Sequence, residues 1–287
     1  CSTEMSGRHA EPAILLTTMR FPTGSKQPPF IIIMTEKQIS IFFEIHSGLD
    51  REGPGSRDET ERAFRTVTSQ PGCPEIATIY DIGCGPGAQT LQLAELSSAE
   101  IYAVDNHQPF LDRIAESARR KQLSHRVHPV NADMNRLPFS DASADLIWSE
   151  GAVYIMGFER GLRAWRSLLK PEGFLVVSEL SWLETTIPDE LRAFWGEEYP
   201  AMQTRERNDR SVENTGYSLI DSFVLPESGW WDGYYSPLER RIENLEFKYR
   251  EDPEALEVLE NEKKEIDMYR RNASFYGYVF YIAARIG

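Results

Sequence analysis

The residues best suited to chemistry are gathered in Tyr80-Asp81-Ile82-Gly83-Cys84-Gly85-Pro86-Gly87-Ala88. Three glycines within five residues let the backbone turn tightly and let a ligand reach main-chain atoms that a Cβ would shield. The apolar run before the turn reads as a strand, and a helix begins at about Gly87. Gly83, Gly85 and Ala88 also satisfy the spacing of dinucleotide-binding turns, and Asp105 follows Gly83 by 22 residues, where an acid can take ribose hydroxyls. A nicotinamide dinucleotide, a different nucleoside and a purely structural turn all fit this pattern.

Charge separates the first two. A carboxylate at Asp81, two residues before the first glycine, repels a pyrophosphate and attracts a cation. S-adenosyl-L-methionine has an ammonium, a sulfonium and no phosphate, so acids at Asp81 and Asp105 complement it. Cys84, inside the turn, is read as a small side chain without chemistry of its own.

Several motifs follow in a fixed order: Asp81 to Gly87, Val104-Asp105, Asn131-Ala132-Asp133-Met134 with Leu137-Pro138-Phe139, Asp145 to Glu150, and Leu169-Lys170-Pro171-Glu172-Gly173-Phe174. In this order they resemble the class I S-adenosylmethionine-dependent methyltransferases, within them the small-molecule group of ubiquinone and menaquinone biosynthesis. The resemblance covers Thr78 to Leu180 and implies a Rossmann-like methyltransferase fold of seven mostly parallel strands, the last antiparallel. It also implies roles. Asp81 and the backbone of Gly83, Cys84, Gly85 and Gly87 would face the methionine part. Asp105, with Asn106 beside it, would take the ribose, Asp133 and Met134 the adenine. Ser149 and Glu150 would sit where the methyl group is passed on. Other readings of the same residues stay open: Asp133 as a turn cap and Met134 as core packing.

Methyl transfer from a sulfonium is a direct displacement, so alignment and exclusion of water dominate. A base is needed only when the acceptor must lose a proton. Glu150, directly after the fourth strand, is the first candidate, followed by Tyr154 and His46. Glu150 equally suits orienting a ligand or capping a helix, and His46 closing an apolar helical face.

A formal net charge of −14 opposes binding to nucleic acid. Ser149-Glu150-Gly151-Ala152 also differs from the Asn/Asp-Pro-Pro-aromatic motif of relatives that methylate bases. Cys1, Cys73 and Cys84 make neither a disulfide framework nor a four-ligand metal site, so no metal is expected and a reducing, cytoplasmic setting fits. The expected partner is a small methyl acceptor. Trp182, Trp195, Tyr199, Trp230, Trp231, Tyr234 and Tyr235 supply aromatic surface either for its pocket or for a core beneath a lid. A non-catalytic cofactor-binding protein and, further off, a nicotinamide-dependent oxidoreductase are the competing functions.

The elements that must position these residues follow from pattern. Of 287 residues, 41% are hydrophobic and 26% charged, an ordinary globular balance. No apolar run approaches the ~20 residues of a membrane helix. Residues 1–33 read as a disordered extension, and 34–287 as a single α/β domain. Ile39, Phe42, Phe43 and His46 fall on one helical face, and Ser56 and Glu59 have capping-box spacing before a second helix. With the Gly53-Pro54-Gly55 turn, these helices are expected to form a lid. Strands are expected at about 76–80, 100–104, 126–130, 144–148, 173–179, 217–225 and 276–283, with helices on both faces of the sheet and insertions at about 182–215 and 229–273.

Overall fold

The computed structural model describes residues 35–287, so the expected extension at 1–33 lies outside the described residues. Among the described residues, eight strands form one sheet: β1 (Thr78–Ile82), β2 (Glu100–Asp105), β3 (Val127–Asn131), β4 (Ala144–Glu150), β5 (Leu169–Trp182), β6 (Gln203–Thr204), β7 (Tyr217–Val224) and β8 (Tyr276–Arg285). Their order is β3-β2-β1-β4-β5-β8-β7, with β6 attached to the end of β5. Strands β1 to β5 run parallel, whereas β8 lies antiparallel between β5 and β7. Seven strands were legible; β6, two residues long, is too short for periodicity to reveal.

Strand alternation splits the core in two. Ile79, Trp148 and Val176 join one hydrophobic cluster, and their chain neighbours Tyr80, Ile147 and Leu175 join the other. Successive side chains leave a strand on opposite faces, so both faces of the sheet are covered. The covering helices include α1 (Glu36–His46), α2 (Arg57–Thr68), α3 (Ala88–Leu96), α4 (Gln108–Arg120) and α5 (Phe158–Trp165). Asp145 stitches the start of the sheet: it accepts from Ala77 N and Thr78 N at 3.1 and 2.9 Å and pairs with Lys170 Nζ at 2.8 Å. Asp145 and Lys170 of the sequence motifs are therefore structural.

The insertions supply α6 (Asp189–Glu198) and α7 (Arg205–Asn214), then α8 (Glu227–Trp230), a π-helical turn at Trp231–Tyr235, α9 (Ser236–Lys248) and α10 (Pro253–Asn272). Helix α1 packs on this second insertion. Glu44 receives Lys248 Nζ and Tyr249 Oη at 2.6 and 2.7 Å, and its carbonyl receives Arg241 Nε at 2.7 Å. The face expected for α1 is rotated in the structure: Ile41, Ile45 and His46 are buried, while Phe42 and Phe43 are half-buried. An insertion 200 residues away in the chain supplies the second packing surface, which helical periodicity alone cannot reveal. At α2, Ser56 Oγ accepts from Glu59 N at 3.2 Å, the side-chain arm of the expected box.

Candidate active site

In an open parallel sheet, ligands enter where the strand order reverses. Here that point lies between β1 and β4. A cavity of about 390 Å³ opens there, within the size range of small-molecule sites.

The glycine turn forms its floor. Gly83 N and Cys84 N both donate to Val104 O, at 2.9 and 3.0 Å, which fastens the turn to β2. Gly83 and Gly87 adopt φ of +74° and +92°. A Cβ at Gly83 would stand 2.3 Å from Ala152 Cβ, and one at Gly87 would stand 2.4 Å from Ile114 Cγ1. Only glycine satisfies both the backbone and the space.

Of the residues expected to hold a cofactor, Gly83, Cys84, Gly85, Asp105, Asn106, Asp133 and Met134 line the cavity. Asp105 Oδ2 accepts from Gly85 N at 3.0 Å and Oδ1 from His107 N at 2.9 Å, so the backbone orients the carboxylate. Burial raises its pKa, and those N–H groups oppose the rise. Asp133 Oδ1 accepts from Asn135 N and Nδ2, both at 2.8 Å, the turn-capping role its sequence context allowed.

Three expectations need correction. Asp81 is fully buried beneath the floor and is absent from the cavity wall, with Thr90 Oγ1 at 2.5 Å and Gln89 Nε2 at 3.4 Å as donors. Burial pushes its pKa up to about 7. The carboxylate expected at the crevice mouth instead points inward, because the start of α3 offers it hydrogen bonds that a dry interior makes necessary. Ser149 is likewise inside the sheet rather than on the cavity wall, and Gly87 lies behind the turn as the cap of α3.

Glu150 and Tyr154 both line the cavity. Glu150 Oε2 pairs with Arg51 Nη1 at 2.7 Å, and Oε1 receives Thr60 Oγ1 and Trp148 Nε1 at 2.7 and 2.9 Å. Both oxygens are thus committed to neighbours. Burial raises the pKa of Tyr154, and the Glu179 and Glu265 charges raise it further, so its phenol keeps its proton at neutral pH. Tyr154 is a donor here.

Negative charge absent from Asp81 appears elsewhere in the wall, on Glu52, Glu262 and Glu265. Between them lies His46, 4% exposed, with Nδ1 3.5 Å from Glu52 and Nε2 3.5 Å from Glu262. Burial disfavours the charged imidazole, but the surrounding carboxylates outweigh it and raise its pKa above 6.5. Burial pushes Glu52 up to about 7. Glu52, Glu262 and Glu265 escaped sequence reading because they sit in charge-dense stretches that resemble solvated faces. The one signal was the helical register of Glu262 and Glu265 with apolar neighbours of α10; Glu52, in the bend between α1 and α2, gave none.

The switch-point cavity, the glycine floor and the strand order are those of the Rossmann-like methyltransferase fold. Residues 79–173 match the family described as a methyltransferase domain. Among solved structures, an S-adenosylmethionine-dependent methyltransferase from Geobacter sulfurreducens, in complex with S-adenosyl-L-homocysteine, superposes with a TM-score of 0.73 at 17% identity. It covers 86% of this chain and 98% of that one. The [4+2]-cyclase SpnF superposes at 0.68 and 20% identity over 86% and 92%, so the fold hosts more than one reaction. The sterol 24-C-methyltransferase of Aspergillus fumigatus is 29% identical over 124 residues, 43% of this chain and 32% of that protein. The chain spans no more than half the length of the sterol methyltransferases it matches.

Proposed function

We propose that this protein transfers the methyl group of S-adenosyl-L-methionine to a small-molecule acceptor by direct displacement, in the cytoplasm. The observation that carries the reading is the floor of the cavity, where Gly83, Gly85 and Pro86 meet Asp105 from β2 and Asp133 with Met134 from the segment after β3. The cofactor supplies an electrophilic methyl on a sulfonium. Asp105 would hold the ribose hydroxyls, Asp133 Oδ2 the adenine amino group, and the side chain of Met134 one face of the adenine ring. Tyr154 would orient the acceptor from the rim, and Glu150 would hold the Arg51 segment in place over the site.

The wall fits a cation better than a pyrophosphate. Its one guanidinium among the described residues, Arg51, is already paired with Glu150, and six carboxylates surround the space. Among the described residues no helix is long and apolar enough to cross a membrane. Cys73 and Cys84 are the free thiols among the described residues, in keeping with a reducing compartment.

Calorimetry with S-adenosyl-L-homocysteine and with NADH, on wild type and Asp105→Ala, tests the proposal. Binding of the first alone, lost in Asp105→Ala, is the expected result; binding of NADH alone overturns it. Label transfer from methyl-labelled cofactor into a metabolite extract then separates turnover from mere binding.

A further inference from the structure

The cavity has two chemically distinct ends. Strands β1 to β3 supply the nucleoside end already described. The other end is walled by Tyr154, Leu180, Trp195, Trp230, Tyr278 and the acids of α10. Charge at this second end does not balance. Arg51 offsets Glu150, and Asp105 and Asp133 already accept backbone N–H groups. Glu52, beside Gly85, faces His46 and Arg113, Glu262 faces His46, and Glu265 accepts from Tyr235 Oη at 3.0 Å but makes no ion pair among the described residues. Uncompensated carboxylates in a dry wall are costly. Among the described residues, no three such side chains are placed to hold a metal ion.

Aromatic rings complete the enclosure. Trp230, 2% exposed, stacks on Tyr269 at 3.9 Å and lies 5.4 Å from Tyr278, and Tyr234 stands beside it in the wall. Rings that share a cavity with carboxylates attract a cation through their faces. The indole N–H of Trp230, a residue more than nine-tenths buried, has no hydrogen-bond partner among the described residues.

We propose that the acceptor is a small aliphatic amine, held as a cation between Glu262, Glu265 and the rings of Trp230, Tyr234 and Tyr278. This inference rests on the methyltransferase reading and names its substrate class. A cavity of about 390 Å³ that must also admit the cofactor leaves space for a small molecule rather than a sterol. The protonated amine gives its proton to Glu265. Its lone pair then forms the N–C bond as the C–S bond breaks and sulfur keeps the bonding pair. The products are the demethylated cofactor and a methylated ammonium. Burial, reinforced by the neighbouring Glu262 charge, raises the pKa of Glu265, which suits it to receive that proton.

The test titrates choline, and its neutral carbon isostere 3,3-dimethylbutan-1-ol, into the full chain saturated with S-adenosyl-L-homocysteine. Both probes carry the hydroxyl, so their difference reports charge alone. Choline is expected to bind about tenfold more tightly, and Glu265→Gln to remove that advantage while leaving affinity for S-adenosyl-L-homocysteine unchanged. The wild-type comparison requires no variant to fold. Equal or tighter binding of the isostere, binding of neither probe, or an unaltered preference in Glu265→Gln overturns the inference. Failure of S-adenosyl-L-homocysteine itself to bind overturns the methyltransferase reading instead, and is seen before either probe is added.

Discussion

Replacing Glu150 by Gln distinguishes an anchor from a base. Glu150 and Arg51 keep 4% and 10% of their side chains exposed at an N–O separation of 2.7 Å, so solvent screens their attraction little. If the amide oxygen takes the place of Oε1, it still accepts from Thr60 and Trp148. The amide nitrogen then faces the guanidinium, donor against donor. Removing one partner of a buried ion pair costs about 3–5 kcal/mol, a large share of the roughly 5–15 kcal/mol that holds a domain folded. Urea unfolding should therefore show a loss of about that size for Glu150→Gln and for Arg51→Met separately. The double variant should lose less than their sum by about 2 kcal/mol, because neither residue is then left as a lone buried charge. Turnover should follow the same cycle, falling in each single variant and partly returning in the double. An additive cycle, with Glu150→Gln costing under about 1 kcal/mol yet abolishing kcat, would refute the anchoring role and restore Glu150 as the base.

Two further outcomes test the floor and its charges. Gly83→Ala should cost about 2–5 kcal/mol and weaken binding of S-adenosyl-L-homocysteine in calorimetry, since left-handed strain adds to overpacking against Ala152. Gly48→Ala, with φ of +86° but open space around it, should lose only the strain of about 1–2 kcal/mol. Stability should also fall as pH rises from about 4.5 to 8. Buried Asp81, Glu52 and Glu179, with pKa values of about 7, 7 and 8, keep protons in the folded state that the unfolded chain releases at lower pH. His46, raised above 6.5, contributes with the same sign, since the stability it lends is present below that value and lost as pH rises through its folded pKa. Asp81→Asn, which keeps an oxygen for Thr90, should flatten part of that slope; a urea midpoint that rises over this interval would contradict the assignment.

Local chemistry made much of the site readable. The turn from Gly83 to Gly87, the acid at the end of β2 and the Asp133 turn depend on neighbours within a few residues, and all of them stand around the cavity or support it. Strand alternation likewise marked both faces of the sheet. What local chemistry did not reveal was where side chains point once distant elements pack. Asp81 carries the right charge at the right spacing, yet Thr90 and Gln89 draw it inward. Arg51 and Glu150 lie 99 residues apart, and their pairing is visible only after the first helices fold over β4.

The positions of seven strands along the chain and the glycine turn were determined by the sequence alone, because β-branched runs, tight turns and helix starts are decided by backbone sterics over a handful of residues. The acceptor end was decided only by tertiary structure. His46 from α1, Glu262 and Glu265 from α10 and Trp230 from α8 meet there across some 200 residues of chain. Burial then changes what their charges can do, and burial is a property of the assembled fold rather than of any segment within it.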